Sequence, residues 1–152
     1  MATIRKRRII NEAGAEAVIQ AAERKANEQG HRVVITVVDP SGELVALRRT
    51  VGAQVASSRV AVDKARTAAI YRRPSKDFED QASSGRPSAL HLARAVPLQG
   101  GMPILHDNEV VGGVGVSGAS SADEDQELAA LAAGALGASA NGQARPKATV
   151  EA

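Results

Sequence analysis

Two kinds of hydrophobic pattern alternate along the chain, and together they predict three helices and two β-hairpins. Residues 11–29 carry alanines three or four positions apart on one face, with Val18 beside them, which is the spacing of an amphipathic helix. Residues 53–73 repeat this spacing until Pro74, a residue that cannot continue a helix. Either Ser120 or Ser121 can cap a third helix, because acidic residues follow in its first turn. The face of the first helix is mostly alanine, so we expect it to approach its neighbours closely.

Residues 33–49 show a different pattern, that of a strand, a tight turn and a second strand. A nearly continuous β-branched run at 33–38 is typical of a strand that is covered on both faces. An Asp-Pro-Ser-Gly turn that begins at Asp39 follows. The second strand ends at Arg48 and Arg49, which alternation places on opposite faces of the sheet. At most one of these arginines is therefore expected to point toward a helix on a given face.

Residues 100–118 form the second predicted hairpin and are rich in glycine. Two apolar runs flank an Asp-Asn turn, which is the arrangement of a β-hairpin. The second run contains Gly112, Gly113, Gly115 and Gly118. Glycine weakens a strand interior and often marks a place where a ligand or another backbone comes close. We therefore expect something to pack against this hairpin, and the glycines alone do not separate a ligand from a helix of the protein.

The order of these elements predicts an α+β fold, in which helices pack on an antiparallel sheet. The chain has 152 residues, enough for one domain, which we place at 1–137. Residues 75–97 lack a clear period and are expected to form a long connection with a short helical piece. Residues 138–152 have no period and few large apolar groups, so we expect a disordered tail.

Composition excludes several classes of function. The chain has no cysteine, which excludes disulfides and thiolate metal sites, and we expect no metal centre. Its net charge is only +2 and aromatic residues make up 1% of it, which argues against nucleic-acid binding. No apolar run approaches the length of a membrane span, and no apolar segment follows the basic N-terminus. We therefore expect a cytoplasmic protein with neither a membrane nor a nucleic-acid partner.

Five motifs in fixed order resemble one protein family. They are VVDPSGELVALRR with a Gly-Ala pair after it, KARTA at 64–68, GGMPI at 100–104, GGVGVSG at 112–118 and DQELA at 125–129. Together they resemble the GlcG/HbpS family, also called the haem-degrading domain family, which is related to the C-terminal domain of PduO-type proteins. The resemblance implies about five antiparallel strands with flanking helices, a fold close to profilin-like domains, and a homo-oligomer. One departure is Val51, at a position where the family often has an acid.

The resemblance also selects candidate ligand-binding residues. Arg49 and Lys64 match family positions, and an arginine offers a fork for a carboxylate whereas a lysine offers a point charge. Together with the backbone of the glycine strand, these cations would bind an anionic group. The candidate ligand-binding residues are therefore Arg49, Lys64, Gly113, Gly115 and Ser117. The alternative is that Lys64 pairs with Asp125, or Arg49 with another acid, as an internal salt bridge.

Some members of the resembled family bind haem, and others lie in catabolic pathways and act on small unsaturated acids. We therefore predict that the chain binds haem or a similar small anionic molecule, with haem as its only expected cofactor. None of His31, His91 and His106 is assigned as a ligand of the haem iron.

Two other functions remain open at this stage. The first is a catabolic hydrolase, deaminase or tautomerase that acts on a small unsaturated carboxylic acid from aromatic-ring degradation. Arg49 and Lys64 would hold the carboxylate and Asp125 or His106 would move a proton, so the catalytic candidates are Lys64, Asp125 and His106. The second is a non-catalytic oligomeric module that uses the glycine hairpin as a subunit interface.

Overall fold

A four-stranded antiparallel sheet with helices on both faces forms the described part of the chain, residues 2–138 of a computed structural model. The elements in chain order are α1 (Glu12–Glu28), β1 (Val34–Val38), β2 (Leu44–Arg49), α2 (Ser57–Tyr71), α3 (Lys76–Ser83), a 3₁₀ turn (Pro87–His91), β3 (Gly101–His106), β4 (Glu109–Ser117), α4 (Ala122–Ala133) and α5 (Ala135–Ala138). The strand order is β2-β1-β4-β3. The expected α+β fold with an antiparallel sheet is confirmed.

The strand count differs from the expectation. Residues 2–138 contain four strands, which are the two hairpins of the hydrophobic pattern, rather than the about five strands that the family resemblance implied. The long connection forms α3 and a 3₁₀ turn. The expected short helical piece in this connection is present as α3. The predicted limits of the domain stay a prediction, since residues from 139 onward, and with them the predicted tail 138–152 apart from Ala138, lie outside the described residues.

Local signals in the sequence account for the element boundaries. The Oδ1 atom of Asn11 accepts a hydrogen bond from the Gly14 N–H at 2.9 Å and caps α1. The Oγ atom of Ser121 accepts one from the Glu124 N–H at 3.2 Å and caps α4. The β3–β4 turn at residues 107–108 has positive φ at both positions, which matches the right-handed twist of a hairpin.

The two faces of the sheet have different covers. The larger hydrophobic core lies between the sheet and the pair α1 and α4, and it contains Val18, Ile19, Ile35 and Leu128 among its fully or almost fully buried side chains. Helix α2 packs on the opposite face, over β4, β3 and β1. Only small groups separate α2 from the sheet, and this close approach determines where the candidate site residues lie.

Candidate functional site

The glycine strand is covered by the protein's own helix. A Cβ atom at Gly113 would lie 2.5 Å from the carbonyl oxygen of Ala65, and one at Gly115 would lie 2.7 Å from the Ala65 backbone nitrogen and against the Ala61 carbonyl oxygen. The backbone of α2 therefore occupies the space above both glycines. This corrects the expectation of an open pocket at Gly113 and Gly115, and of the two alternatives left by the sequence, the helix is the correct one.

Lys64 and Asp125 form a buried pair. The Lys64 Nζ atom donates to Asp125 Oδ2 and to the Val116 carbonyl oxygen, both at 3.0 Å, and the two side chains are 5% and 9% exposed. The second carboxylate oxygen of Asp125 accepts the backbone N–H of Ala119 at 2.9 Å. Both residues are thus used to join α2, β4 and the start of α4, as the salt-bridge alternative predicted, and neither charge is open to a ligand in this structure.

Ser117 and His106 also have internal partners. The Ser117 hydroxyl donates to the Ser57 hydroxyl at 3.1 Å, and this contact is buried. His106 is 5% exposed and its Nε2 atom lies 3.4 Å from Asp107 Oδ2. His106 ends the strand whose first residue packs on Lys64, so about 16 Å of extended chain separates it from the buried pair. The structure does not bring the three proposed catalytic residues, Lys64, Asp125 and His106, to one place.

Arg49 is a candidate ligand-binding residue whose charge remains available to a ligand. It lies in a cross-strand row with Val34 and Ser117, so its side chain is on the α2 side of the sheet, where alternation placed one of the two arginines. It is exposed, and within residues 2–138 no acid or other partner engages it. The alternative that Arg49 is used in an internal salt bridge is therefore not realised in this part of the chain.

Two leucines accompany Arg49 on the same face of β2. Leu47 shares a row with Thr36, and Leu44 shares one with Val38. The β1 residues of these rows, Val38 and Thr36, are buried beneath α2, whereas Leu44 and Leu47 are 57% and 38% exposed. We call the surface formed by Leu44, Leu47 and Arg49 the β2 step, because the sheet continues there beyond the edge of the helix.

Helix α2 runs beside the β2 step in the opposite direction to the strand. Its first residue, Ser57, contacts Ser117 at the Arg49 end, and near its last turn Ile70 packs at Gly42, next to the Leu44 end. Arg66 also contacts Gly42. Val62 and Arg59 lie one turn and two turns before Arg66, on the same side of the helix. The wall of the step therefore carries arginines at both ends, although Arg66 is paired with Asp63 at 3.2 Å.

Arg48, the other arginine at the end of β2, binds acidic residues of α1 on the opposite face of the sheet. Arg48 donates to Glu23 at 2.6 Å and to Glu16 Oε2 at 2.8 Å, which ties β2 to α1. Hydrogen bonding to Arg48 lowers the pKa of Glu16, and the same contacts raise the pKa of Arg48. Arg48 is therefore a structural residue.

A polar cluster that sequence reasoning missed joins the end of α1 to the start of α4. His31 is 8% exposed, its Nε2 atom lies 2.8 Å from Glu124 Oε2, and its Nδ1 atom lies 3.4 Å from Ser120 Oγ. The serine was visible in the sequence only as a helix cap, and no local pattern connects it to His31.

The described residues offer neither a metal cluster nor a membrane-spanning helix. No group of three or more His, Asp or Glu side chains within residues 2–138 is arranged to hold a metal ion. In the same part of the chain, every helix is too short or too polar to cross a bilayer.

Comparison with known proteins gives consistent matches over most of the chain. Residues 10–135 match the family model described as haem degrading protein HbpS-like. Protein GlcG of Escherichia coli K12 is 34% identical over 109 residues, which is 72% of this chain and 81% of GlcG.

Two solved structures with the same fold agree with these matches. A double mutant of HbpS from Streptomyces reticuli superimposes with a TM-score of 0.80 at 27% identity and covers 88% of this chain and 90% of its own. The PduOC:haem complex superimposes with a TM-score of 0.74 at 24% identity, over 84% of this chain and 94% of its own, and shows likeness of fold.

Proposed function

The chain belongs to the HbpS-like family of haem-degrading proteins, and from that premise we propose that it binds haem or a similar anionic small molecule at the β2 step. The observation that carries the proposal is the pairing of an unengaged, exposed Arg49 with two exposed leucines on one face of an edge strand. This combination matches a flat apolar ring that bears carboxylates.

The apolar part of the step supports binding of the ring. Leu44 and Leu47 are the exposed ends of rows that are otherwise buried, so a ring laid on them would continue the cover that α2 gives to β1. Burial of apolar surface contributes about 25 cal/mol per Å², and a macrocycle has two large faces to bury. The shape of the step therefore favours a flat ligand over a compact one.

The charges of the step support recognition of carboxylates. A guanidinium group binds a carboxylate through two parallel hydrogen bonds, which are stronger than those between neutral groups. Arg49 lies at one end of the step, and Arg59 is on the helix wall beside that end. Two propionates of one porphyrin would thus find cations on adjacent elements.

The step has no atom suited to bind the haem iron. Its residues are leucine and arginine, and none of these is an axial ligand in haem proteins. Haem, when bound, supplies an iron centre for redox and oxygen chemistry, and the residues of the step would hold the ring and its carboxylates only. We therefore expect the affinity to depend on the ring and the propionates, with little contribution from the metal.

Two parallel titrations test this function. Haemin and iron-free protoporphyrin IX are added to the protein, and the Soret band of each is followed to saturation. We expect saturable shifts at micromolar concentrations of both ligands and dissociation constants within about threefold of each other, which is less than 1 kcal/mol. Absence of a saturable shift with either ligand would overturn the proposal, and binding of haemin alone would move the site to residues that bind iron.

An enzymatic activity and self-association are two further proposals. The enzyme of small unsaturated acids would need a new proton-transfer group, since Lys64 and Asp125 are paired internally and His106 is distant from them. Self-association is supported by β2, an edge strand whose outer backbone groups are left unpaired by the strand order of the described sheet.

A further inference from the structure

The polar cluster at the start of α4 contains a hydroxyl, an imidazole and a carboxylate in a line. Ser120 Oγ lies 3.4 Å from His31 Nδ1, and on the other side of the ring His31 Nε2 lies 2.8 Å from Glu124 Oε2. Ser120 is exposed, His31 is buried and Glu124 is half-buried. This is the order of groups in a serine hydrolase, in which a base activates the hydroxyl and an acid orients the base.

We assign the roles of the two ring nitrogens from the groups beside them. The Glu124 carboxylate also accepts a hydrogen bond from the Ser121 hydroxyl at 2.9 Å through its other oxygen, so it stays an acceptor toward His31. The Nε2 atom lies 2.8 Å from Glu124 Oε2, although the two atoms do not have the geometry of a hydrogen bond in this structure. With its proton on Nε2, the ring presents the lone pair of Nδ1 to Ser120.

A cavity borders the cluster at His31. It has a volume of about 330 Å³ and is lined by Asn27, Gly30, His31, Arg32, Thr50 and Val51. His31 is the member of the cluster that lines this cavity, and Ser120 lies 3.4 Å from its Nδ1 atom. The guanidinium of Arg32, which donates one hydrogen bond to the Val51 carbonyl oxygen at 3.0 Å, is exposed and offers further N–H donors to a carboxylate on the substrate.

We propose that Ser120, His31 and Glu124 form a serine esterase site for small acyl esters. The Ser120 oxygen bonds to the acyl carbon as its proton passes to His31 Nδ1, and the ester C–O bond then breaks as this proton passes to the leaving alcohol. Water attacks the acyl-serine by the same route in reverse, which releases the acid and restores Ser120. The first N–H groups of a helix have no acceptor within it. Helix α4 begins at Ala122, two residues after Ser120, and Ser121 already accepts the Glu124 N–H.

A purely structural role makes a different prediction. If His31 and Glu124 only clamp the end of α1 to the start of α4, their replacement changes stability, and the Ser120 hydroxyl has the low reactivity of any exposed serine. An esterase site instead gives Ser120 a reactivity that depends on both partners. Labelling of the serine therefore separates the two roles, whereas a measurement of stability does not.

The test treats the full chain with a fluorophosphonate probe and 4-nitrophenyl acetate, and maps the adduct by mass spectrometry. We expect one probe adduct at Ser120 and its loss in Ser120→Ala. The rates of probe labelling and of ester hydrolysis should be about 100-fold lower in His31→Gln, the expected loss on removal of a general base. Glu124→Gln keeps the shape of the side chain and should lower the rate about 10-fold or more. Ser41→Ala, which removes an exposed turn serine, serves as the matched control and should leave the rate unchanged.

Three results would overturn the proposal. They are no adduct on the wild-type chain, an adduct that persists in Ser120→Ala, and an unchanged labelling rate in a folded Glu124→Gln variant, with folding checked by circular dichroism. Because this variant retains the packing of the carboxylate, the test does not depend on the survival of the His31 variant. The cluster shares no residue with the β2 step, so porphyrin binding and esterase activity can fail separately.

Discussion

Lys64 illustrates how a cation in a family motif can serve the fold. Its ammonium group makes two hydrogen bonds of 3.0 Å inside the protein, to Asp125 and to the Val116 carbonyl oxygen. An unpaired charge in such a place is costly, because burial removes its hydration. The pair is therefore required once both residues are present, whether or not it adds net stability.

Removal of one member of this pair should be strongly destabilising. We expect Lys64→Met to lower the free energy of unfolding by about 3–5 kcal/mol, because it leaves the Asp125 carboxylate buried without its cation. Urea denaturation followed by circular dichroism measures the change. The double variant Lys64→Met with Asp125→Leu should recover part of the loss, and a single variant as stable as the wild type would show that the pair is dispensable.

The contact between Arg48 and Glu16 gives stability a specific dependence on pH. Hydrogen bonding to Arg48 lowers the pKa of Glu16 below its usual value of 4.5. The stabilisation from this contact is therefore fully present above about pH 4.5 and is lost as the pH falls through the lowered pKa. Both side chains are partly solvated, so the effect is expected to be small.

The matched comparison uses Arg48→Gln and the wild type in urea denaturation between pH 7 and pH 3. We expect the difference in stability between the two proteins to shrink as the pH falls, because protonated Glu16 no longer favours a cation beside it. A difference that stays constant or grows toward pH 3 would contradict the assigned cause.

At the scale of elements, the contact of α2 with β4 depends on the absence of side chains at two positions. Ala61 and Ala65 of the helix lie on Gly113 and Gly115 of the strand, so the two backbones meet almost directly. Larger side chains would separate them, and the strand could not then supply the carbonyl oxygen that Lys64 uses. The alanines of the helix and the glycines of the strand together therefore allow this close contact.

Gly115→Ala should disrupt this contact. The new methyl group would meet backbone atoms of Ala61 and Ala65, which cannot rotate away, so we expect a loss near the upper end of the about 1–3 kcal/mol that overpacking costs. Gly134→Ala is the control, since its nearest atom would be the Leu131 carbonyl oxygen at an ordinary 3.6 Å. Thermal unfolding of both variants measures the effect, and equal melting temperatures would refute the close packing.

Sequence patterns predicted these elements well because their causes are local. The Asp-Asn turn, the serine cap of α4 and the helical period before Pro74 each act within a few residues. Alternation along β2 also placed Arg48 and Arg49 on opposite faces, as observed. The count of about five strands came from the family resemblance and was wrong, whereas the two hairpins of the hydrophobic pattern correspond to the four observed strands.

The candidate site was less predictable because its contacts are distant in sequence. The pairing of Lys64 with Asp125 was foreseen only as one of two alternatives, since spacing cannot tell a ligand cation from an internal one. His106 was grouped with them by chemistry alone, and the strand places it at the far end. The cluster of His31, Ser120 and Glu124 arises only when α1 and α4 pack together.

At the scale of the whole molecule, the two edges of the sheet differ. β3 is an edge strand that carries Pro103, which cannot donate a backbone hydrogen bond, whereas β2 has no proline. An exposed edge of this kind can pair with the same strand of a second copy. We therefore propose the open edge of β2 as the place of self-association in the described part of the chain.

We expect the protein to be a homo-oligomer in solution. Size-exclusion chromatography with light scattering should give a mass that is a multiple of the 15.7 kDa chain. A mass of one chain at the highest soluble concentration would be incompatible with this expectation. It would leave the proposal for the β2 step intact, since that site lies on the face of the strand and not on its edge.

The most direct test of the β2 step compares two variants that each lose one positive charge. Arg49→Gln removes the cation of the step, and Arg24→Gln removes an exposed arginine from α1 on the opposite face of the sheet. In titrations with iron-free protoporphyrin IX, we expect Arg49→Gln to weaken binding about 10-fold, equivalent to about 1.4 kcal/mol, and Arg24→Gln to bind like the wild type. Equal affinities of the two variants, or no saturable binding by the wild type, would contradict the assignment of the ligand to the β2 step.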